Sequence, residues 1–292
     1  MESGNPLVPA REKPLSEDST SPGGMRSWVL PSPGQAAADP WTWQVLPEGV
    51  IYKSYLAGQK EPRMGSVWNY LDHYGWVWDA TLGGRVGILR YGGSGPERPE
   101  GWEIDIEGAA FPRLDLEHDR DLMSADFRFG IPLTYGNELW QTKLAFYHDS
   151  AHLGDEYMIR NPGFTRINYS RDVLVWGNSV YPTSNLRLYA EAGWAFHEDG
   201  GSEPWEFQFG IDYSPVARTD LLRGAPFVAL NGHLRQEVDY GGNFVVQTGW
   251  QWRGTTGHLF RLGVQYNTGK SEQYQVFRNT EEKFGMGIWY DY

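Results

Sequence analysis

The sequence predicts an all-β protein: an antiparallel transmembrane β-barrel of about twelve strands behind a disordered N-terminal tail. Three observations carry this. From about Gly75 onward, segments of roughly ten residues alternate apolar and polar side chains between turn residues, the pattern of strands with one face to lipid and one to a polar interior. The chain ends on such a strand, with Phe284, Met286, Ile288, Tyr290 and Tyr292 on one face. Aromatics make up 15% of residues, yet mean hydropathy is −0.54 and no apolar run approaches the ~18 residues of a membrane helix.

Taken in order, residues 1–40 are rich in Pro, Ser, Gly and Ala and read as a disordered tail. Ala36-Ala37-Ala38 before Asp39 looks like a cleavage site without its hydrophobic partner, so the export signal is expected upstream or lost. Residues 41–74 form the next unit. Pro47, Gly49 and Pro62 break its apolar pieces, and the expectation is a lead-in segment or a plug. Residues 75–292 form the barrel. Its strands are expected near 75–82, 84–92, 101–111, 121–133, 138–149, 166–178, 184–197, 204–214, 225–237, 243–253, 258–268 and 282–292. With both termini on the inner side, the longer connections 150–165 and 269–281 fall outside, whereas 214–224 is long for an inner turn.

The clearest segment alternates Trp205, Phe207, Phe209, Ile211 and Tyr213 with Glu206, Gln208, Gly210 and Asp212. The inward faces then carry Glu103, Asp105, Glu107, Asp126, Arg128, Lys143, Arg187, Glu191, Glu206, Asp212, Arg235, Glu237 and Arg261. Mixed signs in a narrow interior suit a salt-bridged, filled lumen, and a small pore or ligand cavity is the alternative. A secreted β-sandwich or lipocalin-like barrel would instead turn the apolar faces inward, but Trp and Tyr near many strand ends favour a lipid boundary. The absence of Cys excludes disulfides and thiolate metal sites, and a net charge of −12 argues against nucleic acid.

The terminal strand resembles the C-terminal signal, ending in Phe, Tyr or Trp, of bacterial outer-membrane barrels. That resemblance implies the bacterial outer membrane as location, with its lipids and the barrel-assembly machinery as partners.

One constellation points to chemistry. Trp140, Thr142, Leu144 and Phe146 share parity with His148 and Ser150, which places an imidazole and a hydroxyl together on the lipid-facing side at the outer rim. An imidazole near a hydroxyl is what a general base needs to activate a nucleophile, and Asn168 on the neighbouring strand is the candidate to orient the imidazole. The His-x-Ser pair resembles two families of barrel enzymes, the outer-membrane phospholipases A and the lipid A deacylases. The resemblance is confined to His148 and Ser150: Asn168 follows at a longer interval than in those families, and Ala151 stands where Asn is often found. The sequence does not reveal the oxyanion donors the hydrolase needs, and loop backbone after Ser150 is the candidate source. His152, Asp155 and Glu156 are a second candidate set, for calcium or magnesium.

More broadly, Leu46-Pro47-Glu48-Gly49, Tyr55-Leu56-Ala57, Glu61-Pro62-Arg63, residues 150–156, residues 167–171 and residues 186–190 resemble the motifs of a bacterial family, the domain of unknown function 1207. This implies an outer-membrane barrel without an assigned activity. The expected function is therefore a non-catalytic barrel with a structural, transport or surface-interaction role, with an envelope lipid acyl hydrolase as the alternative.

Overall fold

Alternating side chains and matched strand lengths let each strand pair with the next in sequence, and twelve of them close on themselves. The computed structural model describes residues 40–95, 98–217, 219–220 and 222–292, so the expected tail up to Asp39 and its Ala36–Ala38 site lie outside the described residues. The barrel strands are β2 (Met64–Leu71), β3 (Gly75–Gly92), β4 (Gly101–Asp115), β5 (Asp121–Gly136), β6 (Trp140–Leu153), β7 (Ser170–Thr183), β8 (Leu186–Asp199), β9 (Trp205–Tyr213), β10 (Ala225–Arg235), β11 (Gly242–Arg253), β12 (Leu259–Lys270) and β13 (Thr280–Asp291). All neighbours are antiparallel, and β13 closes the barrel on β2, with Met286 opposite Trp68. A short strand, β1 (Thr42–Val45), pairs with β3 alone, and one short helix, α1 (Asp155–Arg160), follows β6.

The expected count of twelve holds, but by two compensating changes. The expected strands 75–82 and 84–92 are one strand, β3, running through Gly83-Gly84. That pair serves close packing rather than a turn: a Cβ on Gly83 would lie 2.3 Å from the Gly108 carbonyl oxygen of β4. In exchange, residues 64–71, expected within the lead-in, form a barrel strand. The β10 strand also stops at Arg235, and Glu237 falls in a 3₁₀ turn over Gln236–Val238.

The faces follow the alternation. Phe209, Ile211, Trp250 and Leu262 are 40–48% exposed on the outer wall, whereas Asp212 is 3% and Arg261 0% exposed inside. Phe207 and Gln208 are half-buried.

The lumen is filled from both ends. After β1, Leu46 takes φ 51° and the chain turns at Pro47 into the barrel, where Ile51, Tyr52, Tyr55 and Ala57 are fully buried. Wall arginines hold this plug by its carbonyls: Arg187 donates to Lys53 and Ser54 at 2.9 and 3.1 Å, and Arg261 donates to Leu56 at 3.1 Å. The Tyr55 ring stacks on Tyr189 at 3.8 Å, and its hydroxyl donates to Glu191 at 2.6 Å. At the opposite, loop end, the connection 271–279 folds inward, with Tyr274 stacked on Tyr169 at 4.4 Å. Charges on the wall pair across strands, as in Arg85–Asp105 at 2.6 Å, Arg128–Asp149 at 2.8 Å and Lys143–Glu191 at 2.8 Å. Buried ions need such partners, because leaving one unpaired costs several kcal/mol.

Candidate functional site

The outer face of β6 ends, toward the loop end, in His148, Ser150 and His152, in step with Leu144 and Phe146 below. Register decides what they meet. On β5, Phe129 is opposite His148 and Phe127 opposite Ser150; on β7, Asp172 is opposite His148 and Ser170 opposite Ser150. One step toward the middle, Phe146 faces Leu174. A polar group of His148, Asp172, Ser150 and Ser170 therefore borders directly on the apolar band.

Within this group His148 Nδ1 lies 2.7 Å from Asp172 Oδ1. The two side chains are 44% and 26% exposed, so the pair is open to whatever surrounds the barrel. When Nδ1–H donates to the carboxylate, Nε2 keeps its lone pair and can accept a proton. The serine lies on the same face two residues on. Carboxylate and imidazole are thus in contact, and the hydroxyl shares their face one residue pair farther along.

Asn168 is not part of this group. It precedes β7, and its Nδ2 donates to Asp199 at 2.8 Å. The sequence placed a strand from residue 166, but pairing begins at Ser170 and brings Asp172, not Asn168, beside the imidazole. A signal for Asp172 was present: it is a carboxylate on the same parity as Leu174, Trp176 and Val180 of the outward face.

The expected oxyanion donors are also displaced. The β6 strand continues to Leu153, and the Ala151 N–H donates to the Tyr169 carbonyl at 3.1 Å. The Ser170 hydroxyl is the nearest side-chain donor by register. As for the metal candidates, His152 packs edge-on against Phe127 with centroids 5.5 Å apart, and Asp155 and Glu156 lie exposed in the first turn of α1. Among the described residues no group of three or more His, Asp or Glu side chains could hold a metal ion.

The lumen offers less room. A cavity of about 70 Å³ beside Lys53, Arg187 and Asp212 and one of about 40 Å³ beside Lys60 and Arg113 are large enough for a few waters each.

A model of the family described as protein of unknown function, DUF1207, matches residues 35–292. None of the curated proteins matches the chain. Among solved structures, outer membrane phospholipase A from Escherichia coli is 11% identical, with a TM-score of 0.55 over 78% of this chain and 90% of that one. The Salmonella typhi outer membrane phospholipase dimer with bound calcium is 12% identical, with a TM-score of 0.54 over 78% and 91%. The KdgM porin is 12% identical, with a TM-score of 0.44 over 78% and 98%. These likenesses concern the fold.

Proposed function

The chain belongs to the DUF1207 family, whose description carries no activity, and from that premise we propose that it is an outer-membrane barrel with a closed lumen that cleaves acyl esters of membrane lipids on its outer wall. The observation that carries this reading is the 2.7 Å contact between His148 Nδ1 and Asp172 Oδ1, with Ser150 on the same face. Ser150 Oγ attacks the ester carbonyl while His148 Nε2 takes its proton, and Asp172 steadies the imidazolium. The proton then passes to the departing alcohol, leaving an acyl-serine. Water, deprotonated by the same imidazole, attacks the acyl carbon and releases the fatty acid. The Ser170 hydroxyl donates to the oxyanion. With the longer loops outside, as in outer-membrane barrels, the site meets the outer leaflet. That two barrels of similar fold are phospholipases by name supports the substrate class.

The test is incubation of detergent-folded protein with phospholipid and with lipid A, each with and without calcium. Acyl release is expected, and Ser150→Ala or His148→Ala should lower it by several orders of magnitude. Release that persists in Ser150→Ala, or none under any condition, sinks the mechanism.

The second reading is a non-catalytic barrel with a structural or surface-interaction role. It is favoured by the filled lumen, which works against a transport pore. Under either reading the C-terminal strand is the handle for the barrel-assembly machinery.

A further inference from the structure

The outer wall beside Ser150 carries more polar side chains than the ester chemistry uses. Register continues both polar pairs onto β8. His197 is opposite Asp172, which extends the row that starts at His148, and Asp199 is opposite Ser170, which extends the row that starts at Ser150. A shift in register between Asp172 and Val173 sets the end of β8 in this alignment. Six polar residues thus stand in two rows across three strands. His197 and Asp199, both exposed, take no part in the steps from Ser150 to the released acid. One step toward the middle of the wall, Phe146, Leu174 and Trp194 form an apolar row, and Phe196 packs near Phe146 with centroids 6.2 Å apart.

Asp199 is held in place. Its Oδ2 accepts from Asn168 Nδ2 at 2.8 Å and its Oδ1 from the Gly200 N–H at 2.7 Å. A carboxylate has about four acceptor positions, so it can take a further donor. Two strand spacings, about 10 Å, separate Asp199 from Ser150. An extended glycerophospholipid head covers that distance between an acyl ester and a terminal amine. With the ester carbonyl at Ser150, the acyl chains lie on the Phe146–Leu174–Trp194 row and the ammonium reaches Asp199. The two rows hold two carboxylates and no Lys or Arg. A head group that brings only negative charge is therefore disfavoured there. The exposed Arg166 precedes β7 and stands outside both rows.

We propose that Asp199 receives the ammonium of a glycerophospholipid whose ester is presented to Ser150, so that this site takes an amine-bearing phospholipid in preference to phosphatidylglycerol or lipid A. The proposal rests on the hydrolase reading of Ser150.

The test separates binding from turnover. Ser150→Ala protein is reconstituted with equal amounts of phosphatidylethanolamine and phosphatidylglycerol, and its retained lipid is read by native mass spectrometry. Acyl release from each lipid is measured with Ser150 intact. Phosphatidylethanolamine should be favoured about fivefold in both, within what an exposed ion pair supplies. Asp199→Asn keeps an oxygen for Asn168 and Gly200 and should erase the preference, and Asp199→Lys should reverse it. Glu203→Gln, at an exposed carboxylate outside the rows, should leave it unchanged. Equal retention of the two lipids, or a preference that survives Asp199→Asn, overturns the head-group assignment whatever the rates. A preference for phosphatidylglycerol that disappears in Arg166→Ala overturns it as well. Retention that follows Asp199 without any acyl release supports the head-group contact and removes the hydrolase reading alone.

Discussion

Lys60, carried into the lumen by the plug, meets Asp126 of β5 at 2.5 Å, and its ammonium lies 4.7 Å from the ring centroids of both Phe111 and Tyr274. Tyr274 arrives from the other end of the barrel and donates its backbone N–H to the same carboxylate at 3.1 Å. One side chain of the wall thus fastens the plug and the inward loop together.

Asp126→Asn should therefore destabilise the barrel by about 3–5 kcal/mol, because it strands the buried Lys60 ammonium. Urea unfolding in micelles measures this. The double replacement Lys60→Met with Asp126→Asn should recover most of the loss, since it removes the stranded ammonium while the Asn side-chain oxygen still accepts from the Tyr274 N–H.

The filled lumen predicts that the intact protein shows no conductance in planar bilayers. Replacing residues 50–60 by a short Gly-Ser linker removes Tyr52, Tyr55 and Lys60 and should open a conducting path. Silence in the linker variant as well would mean that the inward connection 271–279 and the wall side chains close the barrel without the plug.

At the outer wall, Asp172→Asn should lower acyl release by about 10⁴-fold, the cost of losing the group that sets a catalytic imidazole. Asn168→Ala should change it by no more than a few-fold. Equal losses in the two would return Asn168 to the site.

Single Cys replacements at Phe209, Ile211, Trp250 and Leu262, in a chain without native Cys, should respond to lipid-borne quenchers. Cys at Asp212 should not, provided the variant still folds, which heat-modifiable gel migration checks. Uniform shielding of the apolar set would favour a water-soluble barrel.

Replacing Tyr290 and Tyr292 together by Asp should leave the chain unassembled in the envelope. Tyr290 is 37% exposed on the wall beside His258, whose Nδ1 lies 2.7 Å from its hydroxyl. Normal insertion of this variant would show that the last strand is read by other features.

Period-two alternation made the barrel legible from residues alone. The charges expected inward on strands, from Glu103 to Arg261, lie within the lumen, because parity on a strand fixes which face a side chain takes, and Glu237 reaches it from a 3₁₀ turn. The glycine pair at 83–84 misled, since Gly marks turns and close backbone approaches alike. Residues 64–71 were obscured by standing next to a segment that is not a strand.

What the sequence by itself determined was therefore local: strand, face, and the sharing of one face by His148 and Ser150. Only the tertiary structure decided which residues meet from different strands. Asp172 beside His148 and Lys60 against Asp126 depend on register and on the path of the plug. Those are set by how twelve strands close and what fills the space inside, and a period of two carries no information about either.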